Sequence, residues 1–189
     1  MLNRATAALR PPAGSTLTLQ DGTLAATGAP PLSWVGDAVR LAPLVPGITH
    51  FDATTTLEPT IRNAIAAIEG RSLRFVLGSV QLADAGEPLA MLAADVQQLD
   101  ALGALAGLSF DLTIVGHTDA EGADATNVPL SIARAELVAE ALRADTLRQV
   151  RVVTRGVGSA DPIDTAQTEL SNRVNRRVSL SVARAASAR

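Results

Sequence analysis

The sequence contains no cysteine. Disulfides, thiolate zinc sites and a thiol nucleophile are therefore excluded, and the redox state of the compartment is left open. Long hydrophobic runs are missing as well, since no stretch approaches the roughly 20 apolar residues a membrane-spanning helix needs. Aromatic residues make up only 2% of the chain, so a core has to be built from Leu, Val, Ile and Ala. The net charge is only −3 at pH 7. That balance gives no basic footprint for nucleic acid, and no nucleic-acid partner is expected. What the chain has in quantity is hydrophobic residue, 47% of the total, which argues for a folded protein and against disorder. Its 189 residues suit one domain or two small ones. The opening "MLNRATAALRPPAG" is too short and too weakly apolar for a secretory leader. Either the protein is cytoplasmic or the sequence is a piece of a longer chain, and the abrupt, half-helical start favours the second.

Two units are expected, joined by a helix. In the first, residues 1–53, "LNRATAAL" is a short helix ended by Pro11-Pro12. "STLTLQDGTLAATG" alternates apolar and polar residues on both sides of Asp21-Gly22, a hairpin signal because Gly accepts the positive φ of a type I′ turn. A helix over about Leu32–Leu44 stops at Pro46-Gly47, and "GITHFD" is a short strand. Trp34, the only tryptophan, is expected as a half-buried anchor, with lipid contact the sharper alternative. This αββαβ order, with "DGTLAATG" and "LVPGITHFD", resembles a BON module. Such a module implies contact with phospholipid or with another envelope protein. Residues 54–70 form the linker helix, with Leu57, Ile61, Ile65 and Ile68 at helical spacing and Gly70 as its stop.

The second unit, residues 71–189, reads β-α-β-α-β-β. Its strands are "SLRFVLGSV", "LSFDLTIVGH", "QVRVVTRGVG" and "RRVSLSVA". Its first helix is "EPLAMLAADVQQLDALGAL". The second begins near Leu130, with Pro129 in its first turn and Asn127 as a cap. A mixed sheet with helices on one face, an α/β (α+β) sandwich, is the economical packing.

The chemistry sits in "VGHTDAEGADATNVPLSIARAELVAEAL", residues 115–142. Asp119 follows the strand, and Arg134 lies early in the helix, so the chain reversal brings a carboxylate and a guanidinium to one end of the sheet. Two readings stay open on the residues alone. The pair is either a plain salt bridge between loop and helix, or a clamp for an amino-acid zwitterion. In the clamp Asp119 takes the ammonium and Arg134 takes the carboxylate bidentately, as Lys could not. Backbone N–H groups of the loop and helix start would add bonds to that carboxylate.

This stretch resembles the signature of the OmpA-like C-terminal domain, a family that includes the peptidoglycan-associated lipoprotein and the stator protein MotB. The pattern is G-x-T-D-x-x-G, then N-x-x-L-S-x-x-R-A-x-x-V-x-x-x-L. It is met by Gly116, Thr118, Asp119, Gly122, Asn127, Leu130, Ser131, Arg134, Ala135, Val138 and Leu142. Downstream, "GVGSADPI" and "NRVNRRVSLSV" fit the family's closing motifs. The resemblance implies a non-catalytic protein of the periplasm or outer membrane that binds peptidoglycan through the diaminopimelate of its stem peptide. Asp119 and Arg134 would form the clamp. Asn127, Leu130 and Thr118 would line the pocket. Gly116, Gly122, Arg176 and Arg177 would support it. Neither cofactor nor metal is implied. One departure stands out. Where family members often carry an aromatic or acidic side chain after "F-x-F", this chain reads "RFVLGSV", with Leu77 and Gly78. The alternative is therefore an envelope assembly module that uses the fold without binding peptidoglycan.

Two further motifs are set aside. His117 has no nucleophile motif to serve, so a structural or pocket-edge role is expected. "DAEGAD" fails as a calcium loop, because positions 6 and 12 counted from Asp119 hold Asp124 and Leu130 instead of Gly and Glu.

Overall fold

The computed structural model describes residues 1–84, 86–143 and 147–185, with Arg143 in backbone only. The chain divides into two compact units, residues 1–63 with 101–108, and residues 64–100 with 109–189.

The first unit begins with α1 (Leu2–Leu9), followed by β1 (Thr16–Gln20) and β2 (Thr23–Thr27). These strands pair antiparallel with Leu19 opposite Leu24. Asp21 and Gly22 in the turn both have positive φ, 47° and 80°, as a type I′ hairpin requires. α2 (Leu32–Leu41) and a 3₁₀ turn lead to β3 (His50–Asp52), which pairs parallel with β2. The observed order is thus αββαβ. The core of this unit includes Leu9, Leu17, Leu24, Val35, Phe51, Leu57 and Ile61. Trp34 lies edge-on to Phe51, with ring centroids 6.1 Å apart, and its Nε1 donates to the Leu9 carbonyl at 2.7 Å. It is an anchor between helix and strand, with its one polar atom satisfied.

α3 (Thr54–Glu69) follows, and then β4 (Leu73–Arg74), α4 (Glu87–Ala106), β5 (Phe110–Gly116), α5 (Asp124–Arg143), β6 (Val150–Gly156), α6 (Glu169–Asn175) and β7 (Arg177–Arg184). The sheet order is β4-β7-β5-β6. β5 pairs parallel with β6 and antiparallel with β7. A parallel pair needs a crossover, and α5 supplies it. Phe110, Leu112 and Ile114 of β5 are buried, as are Val138, Ala139 and Leu142 of α5, which packs on that strand, and Leu92, Val96 and Leu99 of α4. Asp100 fixes the start of β6, because its Oδ1 accepts the backbone N–H groups of Arg148, Gln149 and Val150 at 2.8, 2.6 and 3.0 Å.

Three elements differ from the sequence reading. The expected strand "SLRFVLGSV" keeps a ladder only at Leu73–Arg74. The chain then doubles back, with Phe75 bridged to Leu82 and the Val76 N–H donating to the Gln81 carbonyl. Gly78, at φ 62°, makes the reversal possible. Second, α5 begins at Asp124, so Pro129 stands inside the helix and not in its first turn. A proline there forfeits one backbone bond, and the packing of α5 on β5 and β6 outweighs that loss. Third, α6 was not expected. It is seven residues long and is started by a capping box between Thr168 and Ser171. It occupies the connection before β7, so β-α-β-α-β-β becomes β-α-β-α-β-α-β.

Candidate functional site

Two glycines let α5 approach the sheet closely enough to build the site. A Cβ on Gly116, the last residue of β5, would overlap the Ser131 carbonyl, and one on Gly156 would overlap Ser131 Oγ and the Ile132 backbone. Ser131 uses this proximity. Its hydroxyl donates to the Val128 carbonyl and accepts the Gly158 N–H at 2.9 Å, which ties the β6–α6 loop to the helix.

The chain leaves β5 through His117, Thr118 and Asp119, all buried. The backbone is held on both sides. The His117 N–H donates to the Arg177 carbonyl, and the Thr118 N–H donates to the Gly158 carbonyl, each at 2.9 Å. Gly122, at φ 89°, turns the loop. Asn127, also buried, donates through Nδ2 to the Glu121 carbonyl at 2.9 Å and so braces the loop from inside α5, where a cap ahead of the helix had been expected. Leu130 is half-buried.

Arg134 lies almost three turns into α5, deeper than the sequence suggested, and has no exposed surface (0%). Its long side chain bridges back to the strand end. Nη1 donates to the His117 carbonyl at 2.8 Å, Nε to Ser79 at 3.0 Å and Nη2 to Val76 at 3.1 Å. The Phe75 ring lies 5.2 Å from the guanidinium carbon, within cation–π range. Burial lowers the Arg134 pKa to about 10, with the Asp119 charge acting against that shift. The residue stays cationic at neutral pH. A guanidinium has five donors. Three are engaged by carbonyls, so one N–H remains on each terminal nitrogen.

Asp119 is 4% exposed. Its hydrogen-bonded partner is Arg176 and not Arg134, with Arg176 Nη1 donating to Asp119 Oδ2 at 2.8 Å. Arg176 also reaches Glu169 through Nη2 at 2.8 Å. Asp119, Arg176 and Glu169 therefore form one network, with Arg134 close enough to sense the Asp119 charge. Sequence reasoning found Asp119 and Arg176 but not their pairing, and it missed Glu169. Arg177, buried beside them, donates to the Asp161 carbonyl at 3.2 Å.

Next to this network lies a cavity of about 450 Å³, lined by Thr118, Ala120, Glu121, Gln167, Asn172 and other residues of the β6–α6 connection. Neither Asp119 nor Arg134 lines it. Its far wall is pinned by Asn175, whose Oδ1 accepts from the backbone of Ile163 and Asp164 while its Nδ2 donates to the Asp164 carbonyl.

His117 is a structural residue here. Its Nε2 lies 2.8 Å from Ser179 Oγ. Burial, helped by the charge of Arg177, lowers its pKa from 6.5 to about 4. The ring is then neutral when folded, while in the unfolded chain it binds a proton below about pH 6.5. Its contribution to stability is complete above pH 6.5 and falls as the pH drops toward 4, by a total on the order of 3 kcal/mol. Urea denaturation between pH 7 and pH 4 is expected to show this slope, and His117→Gln is expected to reduce it.

A four-stranded mixed sheet thus buries an acid and a guanidinium at one strand–helix junction. Residues 93–176 match the model of the OmpA family, and the chain carries an OmpA family domain over that stretch. Among curated proteins, it is 28% identical over 180 residues to the peptidoglycan-binding protein ArfA of Mycobacterium tuberculosis, covering 88% of this chain and 53% of ArfA. The chain thus spans about half the length of that relative. It is 39% identical over 72 residues to outer membrane porin F of Pseudomonas fluorescens, covering 38% of this chain and 22% of the porin. Among solved structures, the peptidoglycan-associated lipoprotein of Burkholderia pseudomallei matches with a TM-score of 0.49 at 28% identity, over 60% of this chain and 90% of that one.

Proposed function

We propose that the second unit binds peptidoglycan non-covalently in the cell envelope, by clamping the zwitterionic end of diaminopimelate between Asp119 and Arg134. One observation carries this reading: a single strand–loop–helix segment buries an aspartate and a fully enclosed guanidinium at the same junction. Burying charge is expensive and adds little stability over an apolar core, so its presence here favours a ligand role. Arg134 keeps one N–H free on each terminal nitrogen, the number a bidentate carboxylate needs. Asp119 keeps Oδ1, since Arg176 binds only Oδ2. The likeness to ArfA, whose name states peptidoglycan binding, points the same way. Because Arg134 is enclosed, the ligand reaches it when the 76–80 turn lifts and gives up the Val76 and Ser79 carbonyls. No catalytic step is involved. The first unit, read as BON-like, would meet phospholipid or another envelope protein.

The second reading, an assembly module, is favoured by one feature. Arg134 already spends three donors on the protein's own carbonyls, as a purely structural arginine would. Co-sedimentation with purified sacculi separates the two. Asp119→Asn keeps the shape and removes the charge that holds an ammonium. It is expected to weaken sacculus binding at least tenfold, a modest share of the ~2–5 kcal/mol that losing one member of a buried charge pair costs. Undiminished binding by a folded Asp119→Asn protein would rule out the clamp.

A further inference from the structure

A second cleft, of about 350 Å³, is lined by residues of β4, the turn after it and α6, and by Arg176. Its charged lining is Arg74, Arg173 and Arg176 against the single carboxylate of Asp84. The sequence contains no lysine, so every permanently charged cation on a side chain is an arginine. Arg74 and Asp84 are half-exposed and stand 4.0 Å apart, too far for a hydrogen bond. Arg173 forms no ion pair among the described residues. Arg176 is 5% exposed, and its terminal nitrogens are used by Asp119 and Glu169. Its Nε is buried and has no partner among the described residues. A buried N–H without an acceptor is rare and calls for an explanation. Here it belongs to a side chain that lines a cleft rich in donors and poor in acceptors.

We propose that this cleft is a second binding subsite, for a ligand carboxylate held by Arg74, Arg173 and the Nε–H of Arg176. The source of the carboxylate rests on the peptidoglycan reading. A stem peptide carries carboxylates in addition to the diaminopimelate zwitterion, on its γ-linked glutamate and at its C-terminus. Arg176 joins the two subsites, because the guanidinium that offers Nε to the cleft also holds Asp119 through Nη1. A carboxylate in the cleft fixes the orientation of that guanidinium and hence of the clamp's acid. Amidation of the extra carboxylates removes the charge this subsite reads while leaving the clamp's ligand intact.

The test uses two muropeptides identical at diaminopimelate, one with its other carboxylates free and one with them amidated. Each is titrated calorimetrically into the full chain. The free form is expected to bind about tenfold tighter, the worth of one charge-assisted hydrogen bond. The exposed double variant Arg74→Gln/Arg173→Gln is expected to erase that difference and leave the affinity for the amidated form unchanged. Equal wild-type affinity for both forms, or equal weakening of both by the double variant, overturns the subsite. If neither muropeptide binds, the peptidoglycan reading fails, and sodium acetate followed through arginine Nε–H resonances decides the subsite alone. Acetate-dependent shifts at the Arg176 Nε–H that the double variant lacks support it, and their absence overturns it. A tighter response to sodium phosphate than to acetate also overturns it, in favour of a phosphate-bearing ligand.

Discussion

Arg134→Lys is expected to abolish sacculus binding and to destabilise the second unit by about 2–4 kcal/mol, the cost of leaving one or two buried acceptors unpaired. The guanidinium serves three carbonyls in three directions, Val76, Ser79 and His117. An ammonium is a single point with three tetrahedral donors and cannot reach all of them. The environment also acts on the charge. Burial lowers even the Arg134 pKa to about 10. A lysine starts about two units lower than arginine and would be driven toward its neutral form. A depressed lysine pKa costs stability below its unfolded value, so the variant's urea midpoint should rise between pH 7 and pH 9. The wild-type midpoint should show no such rise from this position. Binding is compared at a temperature where both proteins are folded. Wild-type retention on sacculi would mean that a point charge suffices, and the bidentate geometry would have no role.

The sequence and the structure agree where information is local. "FDLTIVG" is β-branched and aliphatic, and it forms β5 in the middle of the sheet. Asp21-Gly22 makes the turn its chemistry demands. They part where long-range contacts decide. Pro129 and Asn127 both carry helix-start chemistry, but Asp124 opens α5, because two glycines let the helix run flush against β5 and β6. "SLRFVLGSV" is apolar enough for one strand. Its carbonyls at Val76 and Ser79 are instead turned toward a guanidinium 58 and 55 residues away. No local pattern encodes that demand. The same holds for the site. Asp119 and Arg134 stand in one legible motif, whereas the residue bonded to Asp119 is Arg176, 57 positions on. α6 was hidden by its length, since seven residues leave too little periodicity to detect.

Gly116→Ala should be the most damaging single methyl addition in the second unit. The new Cβ would overlap the Ser131 carbonyl, a backbone atom inside α5 that no rotamer change can move. Either the helix shifts or the strand bends, at about 3 kcal/mol, the upper part of the usual range for overpacking. Gly78→Ala is the control. Its Cβ would meet nothing within 4 Å, so only the positive φ of 62° is penalised, at about 1–2 kcal/mol. Urea denaturation of the two variants separates the terms, and the excess for Gly116→Ala measures the close approach. The damage should extend to function. His117 follows Gly116, and its carbonyl holds Arg134 Nη1. Moving α5 away from β5 draws the guanidinium from that carbonyl and from the Asp119 side of the junction. Gly116→Ala should therefore lose sacculus affinity even when fully folded, whereas a Cβ that packed without cost would mean that strand and helix are not held this close.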